Sequence, residues 1–155
     1  MQTHSLAQVL ALIETQDMAV LATTDGNEPH ASLMAYVSAD GGRTIYLATG
    51  ASSTKYRNIA AHPRVSLLVD TREVSICPGS DAPRSSIQAL TAGGRAEVIP
   101  QEQSGEPKRL FRIAHPHMQA FLDDPDTIFL AVRITDLLLL NGLADATFLR
   151  LDVDG

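Results

Sequence analysis

Residues 43–70, RTIYLATGASSTKYRNIAAHPRVSLLVD, carry the pattern that decides the fold. Alternating apolar residues predict one strand over Arg43–Ala48 and another over Arg64–Asp70. Between them, small residues at 49–52 predict a turn, and Ser53–Ala61 has the composition of a short helix that a proline ends. The unit therefore reads strand, turn, helix, strand.

Hydroxyl side chains cluster where this turn meets the helix. They are Thr49, Ser52, Ser53 and Thr54, and Lys55 follows them in the first helical turn. Unpaired backbone N–H groups at a helix N-terminus attract anions, so hydroxyls and an ammonium group beside them suit a phosphate. A helix cap at Ser53 and a solvated Lys55 explain the same residues. The local pattern leaves both interpretations open.

Length and composition predict one compact domain over residues 1–155. The chain has 45% hydrophobic and 19% charged residues and a net charge of −6, which argues against a nucleic-acid partner. No basic region followed by a long apolar run is present near the N-terminus, and no stretch is long enough to span a bilayer, so we expect no signal peptide and no membrane contact. The only cysteine is Cys77, in an expected loop over 71–86. We therefore expect a cytoplasmic protein.

The rest of the chain predicts five more strands and peripheral helices. The strands are Met18–Thr24, Glu28–Ala39, Ile87–Ile99 (with a bulge or a close backbone approach at Gly93-Gly94), Thr127–Leu140 and Ala144–Val153. Ser5 and Gln8 form a capping box for a helix that ends near Thr15. The helical pattern over 107–122 contains Pro116, which predicts two short helices. About seven antiparallel strands in one small, mainly β domain predict a closed or split barrel.

A longer spacing connects the hydroxyl cluster with the strand after it. Thr49, Ser53, Lys55, Asn58, Pro63, Arg64, Val65 and Ser66 follow the order T-x3-S-x-K-x2-N-x4-P-R-V-S. The pattern resembles the pyridoxamine 5'-phosphate oxidase-like, FMN-binding split-barrel family. The runs Leu21–Ser32 and Gly94–Glu97 resemble two further stretches of that family.

The resemblance implies a homodimer with FMN at the subunit interface. The FMN phosphate would lie on Thr49, Ser52, Ser53, Thr54 and Lys55. The ring would rest against Leu33, Met34 and Ala35, and the strand that contains Gln88 would add contacts from the other protomer. The implied activity is hydride transfer between the flavin and an unknown small substrate. No acid–base residue stands out, so the catalytic residues stay unknown.

Three departures separate the chain from the biosynthetic oxidase. Thr54 stands where the family often has an arginine, and Leu33 or Ser32 replaces another, so two charge-assisted bonds to the cofactor are lost. The family's C-terminal tryptophan is missing, because the chain contains no tryptophan. We therefore do not expect pyridoxamine phosphate to be the substrate.

Several alternatives stay open. The segments Phe111–His117 and Asn141–Ala146 resemble a haem-binding or haem-degrading branch of the same superfamily, with His115 or His117 as the ligand. The deazaflavin F420 is an alternative cofactor. A non-catalytic flavin carrier or sensor, or a protein that keeps the fold without a ligand, is an alternative role. A metal site is not expected, since the acidic residues at 123, 124 and 126 have the pattern of a solvated turn.

Overall fold

One antiparallel sheet dominates the computed structural model, which describes residues 4–71, 88–142 and 144–151. Its strands are β1 (Met18–Thr24), β2 (Pro29–Ala35), β3 (Val37–Ala39), β4 (Thr44–Gly50), β5 (Arg64–Asp70), β6 (Gln88–Val98), β7 (Thr127–Asn141) and β8 (Asp145–Arg150). Neighbouring strands follow the order β2-β1-β5-β6-β7-β4-β3, and β8 pairs with β7. The described residues also form four α-helices: α1 (Leu6–Thr15), α2 (Thr54–Ala61), α3 (Gly105–Ala114) and α4 (Gln119–Asp123).

The two ends of this strand order are consecutive in the chain. β2 pairs with β1, β3 pairs with β4, and only Tyr36 separates β2 from β3. The sheet therefore curls round until its ends meet at Tyr36, while β2 and β4 stay unpaired beside each other. This arrangement is a split barrel, as the sequence predicted, and the split runs between β2 and β4.

The prediction of one strand over Glu28–Ala39 was wrong at Tyr36. Both halves are extended, but they bond to strands at opposite ends of the sheet. Tyr36 itself donates its backbone N–H to the carbonyl of Asp17 over 2.9 Å and its hydroxyl to the carbonyl of Ile13 over 2.7 Å. Burial raises the pKa of Tyr36, and the nearby Asp17 carboxylate raises it further. The phenol therefore stays protonated and keeps donating to α1.

The barrel interior forms the main core. Val9, Leu10 and Ile13 of α1 pack into it. The predicted capping box is present, with the Ser5 side chain and the Gln8 side chain each bonded to the other's backbone N–H. A smaller core lies on the outer side of β3, β4 and β7, where α3 and α4 cover it; its members are Val37, Ala48, Phe111, Leu122 and Phe129. The helices thus cover one part of the sheet's outer face.

Most other predicted elements are present with small shifts. The β6–β7 register changes between Gly93 and Gly94, where the sequence predicted a bulge or a close backbone approach. Pro116 separates α3 from α4, and β7 and β8 form the hairpin expected at Asn141-Gly142. The helix predicted from Ser53 begins one residue later, and the last strand ends at Arg150. The loop expected over 71–86 lies outside the described residues except for Thr71, so Cys77 is not described. Val153, the predicted end of the last strand, also lies outside them. No helix in the described ranges has the length and apolar character needed to span a membrane.

Candidate functional site

A cleft of about 290 Å³ opens along the split of the barrel. One wall is β2, through Leu33, Met34 and Ala35. Another is the end of β4, through Ala48, Thr49 and Gly50, and the start of α2 adds Ser53 and Lys55. The cleft therefore brings together six of the nine residues that the sequence singled out as cofactor contacts.

Thr49 and Ser53 form a hydroxyl pair at the polar end of the cleft. Their side-chain oxygens are 2.9 Å apart, and the Ser53 oxygen also accepts the backbone N–H of Tyr56 over 3.2 Å, which caps α2. Ser53 is thus both a helix cap and a cleft residue. The two hydroxyls carry two protons and their mutual bond uses one, so one proton remains to be donated to an anion.

Backbone donors and one ammonium group complete this end. The N–H groups of Thr54 and Lys55 lie in the first turn of α2, where no preceding carbonyl of the helix can accept them. Lys55 lines the cleft. Within the described ranges it forms no ion pair, since the paired cations there are Lys108, Arg109 and Arg112. An anion placed here would meet a hydroxyl, backbone N–H groups and one unpaired cation.

Asn58 explains why α2 sits where it does. Its side-chain Nδ2 donates to the Oγ1 of Thr23 on β1 over 3.0 Å, and both residues are about 95% buried. The sequence pattern included Asn58 but assigned it no role. The bond ties the helix that carries Lys55 to the barrel wall.

The apolar end has a wall that the sequence did not predict. Met118, just before α4, and Phe121, within α4, line the cleft with Leu33 and Met34. Both residues belong to the helical pattern predicted over 107–122, and only the tertiary fold brings them next to β2 and β4. No motif in the sequence around Met118 and Phe121 indicates that these two side chains line a cleft.

Three predicted contacts lie outside the cleft of the single chain. Ser52 and Thr54 are exposed, and the Thr54 hydroxyl accepts a bond from Arg57 over 3.4 Å. Gln88, at the start of β6, donates to the side chain of Asn141 over 3.4 Å. The resemblance assigns Gln88 to the other protomer's cofactor, and that assignment stays a prediction.

The histidines of the haem hypothesis differ in their surroundings. His115 is 97% buried, and its Nε2 lies 2.9 Å from the carbonyl oxygen of Tyr36. A carbonyl only accepts, so His115 must donate through Nε2. His117 is exposed and packs edge-on against the His115 ring. In the described ranges, no group of three or more His, Cys, Asp or Glu side chains could hold a metal.

An ionic cluster holds α4 against α3. Asp123 accepts from Lys108 at 3.0 Å, from Arg112 at 2.7 Å and from Gln119 at 3.2 Å. The bond from Lys108, followed by those from Arg112 and Gln119, lowers the pKa of Asp123 to about 2. The acidic turn is thus partly paired rather than fully solvated. Behind α4 lies a second depression of about 380 Å³, which contains none of the predicted site residues.

Comparison with known proteins gives three findings. The model of the pyridoxamine 5'-phosphate oxidase family matches residues 5–140. A Schizosaccharomyces pombe protein named as a pyridoxamine 5'-phosphate oxidase homolog is 29% identical over 130 residues, which cover 70% of this chain and 67% of that protein. Solved structures with the same fold include proteins described as binding haem or FAD.

A heme binding protein from Mycobacterium smegmatis has a TM-score of 0.79 at 18% identity, over 97% of this chain and 60% of that one. A FAD-binding protein from Mesorhizobium loti has a TM-score of 0.70 at 16% identity, over 89% of this chain and 95% of that one. At these identities the two structures establish the fold alone. The chain spans less than two thirds of the mycobacterial protein.

Proposed function

Because this chain belongs to the pyridoxamine 5'-phosphate oxidase family, whose model matches residues 5–140, we propose that it is a homodimeric FMN-binding oxidoreductase. The observation that carries the proposal is the cleft in the barrel split, which joins a cluster of hydrogen-bond donors and one ammonium group to an apolar wall. The substrate would be a small molecule. A cytoplasmic location is part of the same proposal.

The residues present fit FMN. Lys55, the hydroxyl pair of Thr49 and Ser53, and the first-turn N–H groups of α2 would hold the phosphate. A Cβ built on Gly50 has no other atom within 4 Å, so there is open space beside this cluster. Charge-assisted bonds of this kind are the strong ones, which suits a phosphate held near a protein surface.

The ring would rest on Leu33, Met34 and Ala35. Since β2 is an end strand within the described sheet, one edge of its backbone has no strand partner there. Backbone N–H and C=O groups along that edge would bond the polar side of the ring. When bound, FMN supplies the hydride chemistry, and the chain's own residues orient it and exclude water.

The uncovered part of the sheet supports the homodimer. Residues in register across the outer face are mostly apolar, in the order Leu33, Val20, Leu68, Thr91, Leu138 and Phe148. Leu33 is 69%, Leu68 42% and Phe148 56% exposed. Exposed apolar faces are typical of surfaces that bind another protein, so this face supports the proposed homodimer. Because Leu33 belongs both to this face and to the cleft, a second copy placed here would border the cofactor.

A flavin titration tests the cofactor assignment. Purified protein is titrated with FMN, with riboflavin, with F420 and with haem, and binding is followed by fluorescence quenching or absorbance. We expect FMN to bind more tightly than riboflavin, which lacks the phosphate. Lys55→Ala should weaken FMN binding by about tenfold to a hundredfold, since one charge-assisted bond is worth about 1.5–3 kcal/mol, and should barely change riboflavin binding.

Arg57→Ala is the matched control, because it removes an exposed positive charge from the same helix outside the cleft. Equal FMN affinity of Lys55→Ala and wild type would refute the phosphate site. A Soret band with no flavin uptake would move the assignment to haem. Anaerobic bleaching of bound FMN by NADH or NADPH would distinguish an oxidoreductase from a flavin carrier.

Sedimentation equilibrium tests the dimer. Leu68→Asp places a charge in the apolar face and should give a monomer with weakened FMN binding. Ile113→Asp changes an equally apolar residue, 69% exposed on α3 and away from this face, and should stay dimeric. A monomeric wild-type protein would refute the assembly.

A further inference from the structure

The cleft is divided into a charged end and an apolar end. Among its described lining residues, Lys55 is the only one with a formal charge. In the proposed FMN complex the phosphate would neutralise that charge. A second anionic group on this protomer's part of the cleft would then have no lining cation to pair with, and burying an unpaired charge is costly.

The opening of the cleft is apolar even where solvent reaches it. Leu33 is 69% exposed and Phe121 is 39% exposed, and both line the cleft. In the proposed complex the FMN ring and the second protomer would cover Leu33, which leaves Phe121 for the substrate. A planar apolar ligand that covers Phe121 would gain the free energy of removing its surface from water. The overall charge of −6 adds a long-range term that disfavours anions.

The apolar wall is held in place without any ligand. Phe121 lies in α4, two residues before Asp123, whose carboxylate is bonded to Lys108 and Arg112 of α3. On its other side, the carbonyl of Phe121 accepts a bond from the hydroxyl of Thr127 at the start of β7 over 2.5 Å. A wall fixed at both sides loses little conformational entropy on binding.

Resting on the proposed FMN function, we infer that the substrate subsite beside Phe121 and Met118 selects uncharged, planar ring compounds and rejects phosphorylated or carboxylated ones. Phe121 is the specificity-determining residue in this arrangement. This substrate class, uncharged planar rings, excludes pyridoxamine phosphate, because the phosphate of that compound would need a second cation beside Lys55.

Two redox-inert probes that differ in charge test this inference. FMN stoichiometry is measured first, and the FMN-loaded protein is then titrated by calorimetry with naphthalen-2-ol and with naphthalene-2-sulfonate at neutral pH. We expect the uncharged probe to bind at least about tenfold more tightly. Phe121→Ala should weaken its binding by about tenfold, and Phe121→Leu should restore much of it.

A charge placed on the wall gives the converse test. Phe121→Lys should reverse the preference and favour the sulfonate. Ile113→Lys adds the same charge on an exposed part of α3 outside the cleft and should leave the preference unchanged. FMN uptake with equal affinities for the two probes, or a reversal by Ile113→Lys as large as by Phe121→Lys, would overturn this inference alone. Failure to take up FMN would overturn the proposed function and this inference with it.

Discussion

The buried bond between Asn58 and Thr23 offers the sharpest test of how the site is built. The two side chains are 3.0 Å apart and about 5% and 4% exposed. Removing one partner leaves the other's polar group buried without a bond, which costs about 1–3 kcal/mol. Asn58→Leu and Thr23→Val, which nearly keep the shapes, should therefore each lower the free energy of unfolding by about that amount.

The double variant should lose less stability than the two single losses added together. Replacing both partners by apolar groups leaves neither group unsatisfied, so we expect a coupling of about 1 kcal/mol or more. Urea unfolding followed by circular dichroism measures each midpoint, and an unchanged slope would confirm that the unfolded state is comparable. Single effects that add to the double effect within about 0.3 kcal/mol would refute the coupling.

The same variants also test whether the Asn58–Thr23 bond supports cofactor binding. Because α2 carries Lys55, loosening its attachment to β1 should weaken FMN binding in Asn58→Leu, although Asn58 does not line the cleft. Riboflavin affinity should change less, since it lacks the phosphate. An Asn58→Leu protein with reduced stability but unchanged FMN affinity would show that the bond holds the fold and not the site.

Three further substitutions test separate parts of the structure. Gly94→Ala would place a Cβ 2.6 Å from a backbone carbonyl oxygen of β7, so it should lower the free energy of unfolding in urea by about 1–3 kcal/mol. Gly105→Ala is the control, because a Cβ there meets open space, and equal losses of stability in the two variants would contradict the prediction. Tyr36→Phe removes the bond to Ile13 and should lower the free energy of unfolding by about 0.5–1.5 kcal/mol, and an unchanged urea midpoint would contradict it. Asp123→Asn tests a lowered pKa: the ionised carboxylate stabilises the fold above pH 3.8, and this stabilisation is lost as pH falls through about 2. The melting-temperature difference between wild type and Asp123→Asn should therefore shrink over that range, and a constant difference would contradict the pairing.

Local patterns predicted the elements that depend on local chemistry. The capping box at Ser5 placed α1, the alternation of Val65, Leu67 and Val69 placed β5, and Pro116 placed the break between two helices. Each of these signals acts over a few residues. The division of one extended segment at Tyr36 was missed because alternation shows that a segment is extended but not which strand it pairs with.

In the candidate site, too, the residues that are close in sequence were predicted and those brought together by the tertiary fold were not. The hydroxyls and Lys55 are adjacent in sequence, so their spacing was enough to group them. Met118 and Phe121 reach the cleft only because α3 and α4 fold back over β4 and β7, and a helical spacing looks the same whether it faces a core or a cleft. Asn58 was part of the motif, but its partner lies 35 residues away on β1.

The position of the split connects the cleft with the proposed dimer. On one side of it, α3 and α4 cover β3, β4 and β7 through the core around Phe111. On the other side, β2, β1 and β5 present an outer face that no described helix covers, with Leu33 and Leu68 exposed. The cleft therefore lies on the boundary between the covered and the uncovered halves of the sheet. A second copy that packs on the uncovered half would add a further wall to the cleft. In the proposed assembly, cofactor binding and dimerisation should therefore strengthen each other. FMN should lower the dimer dissociation constant, and by linkage the dimer should bind FMN more tightly than the Leu68→Asp monomer.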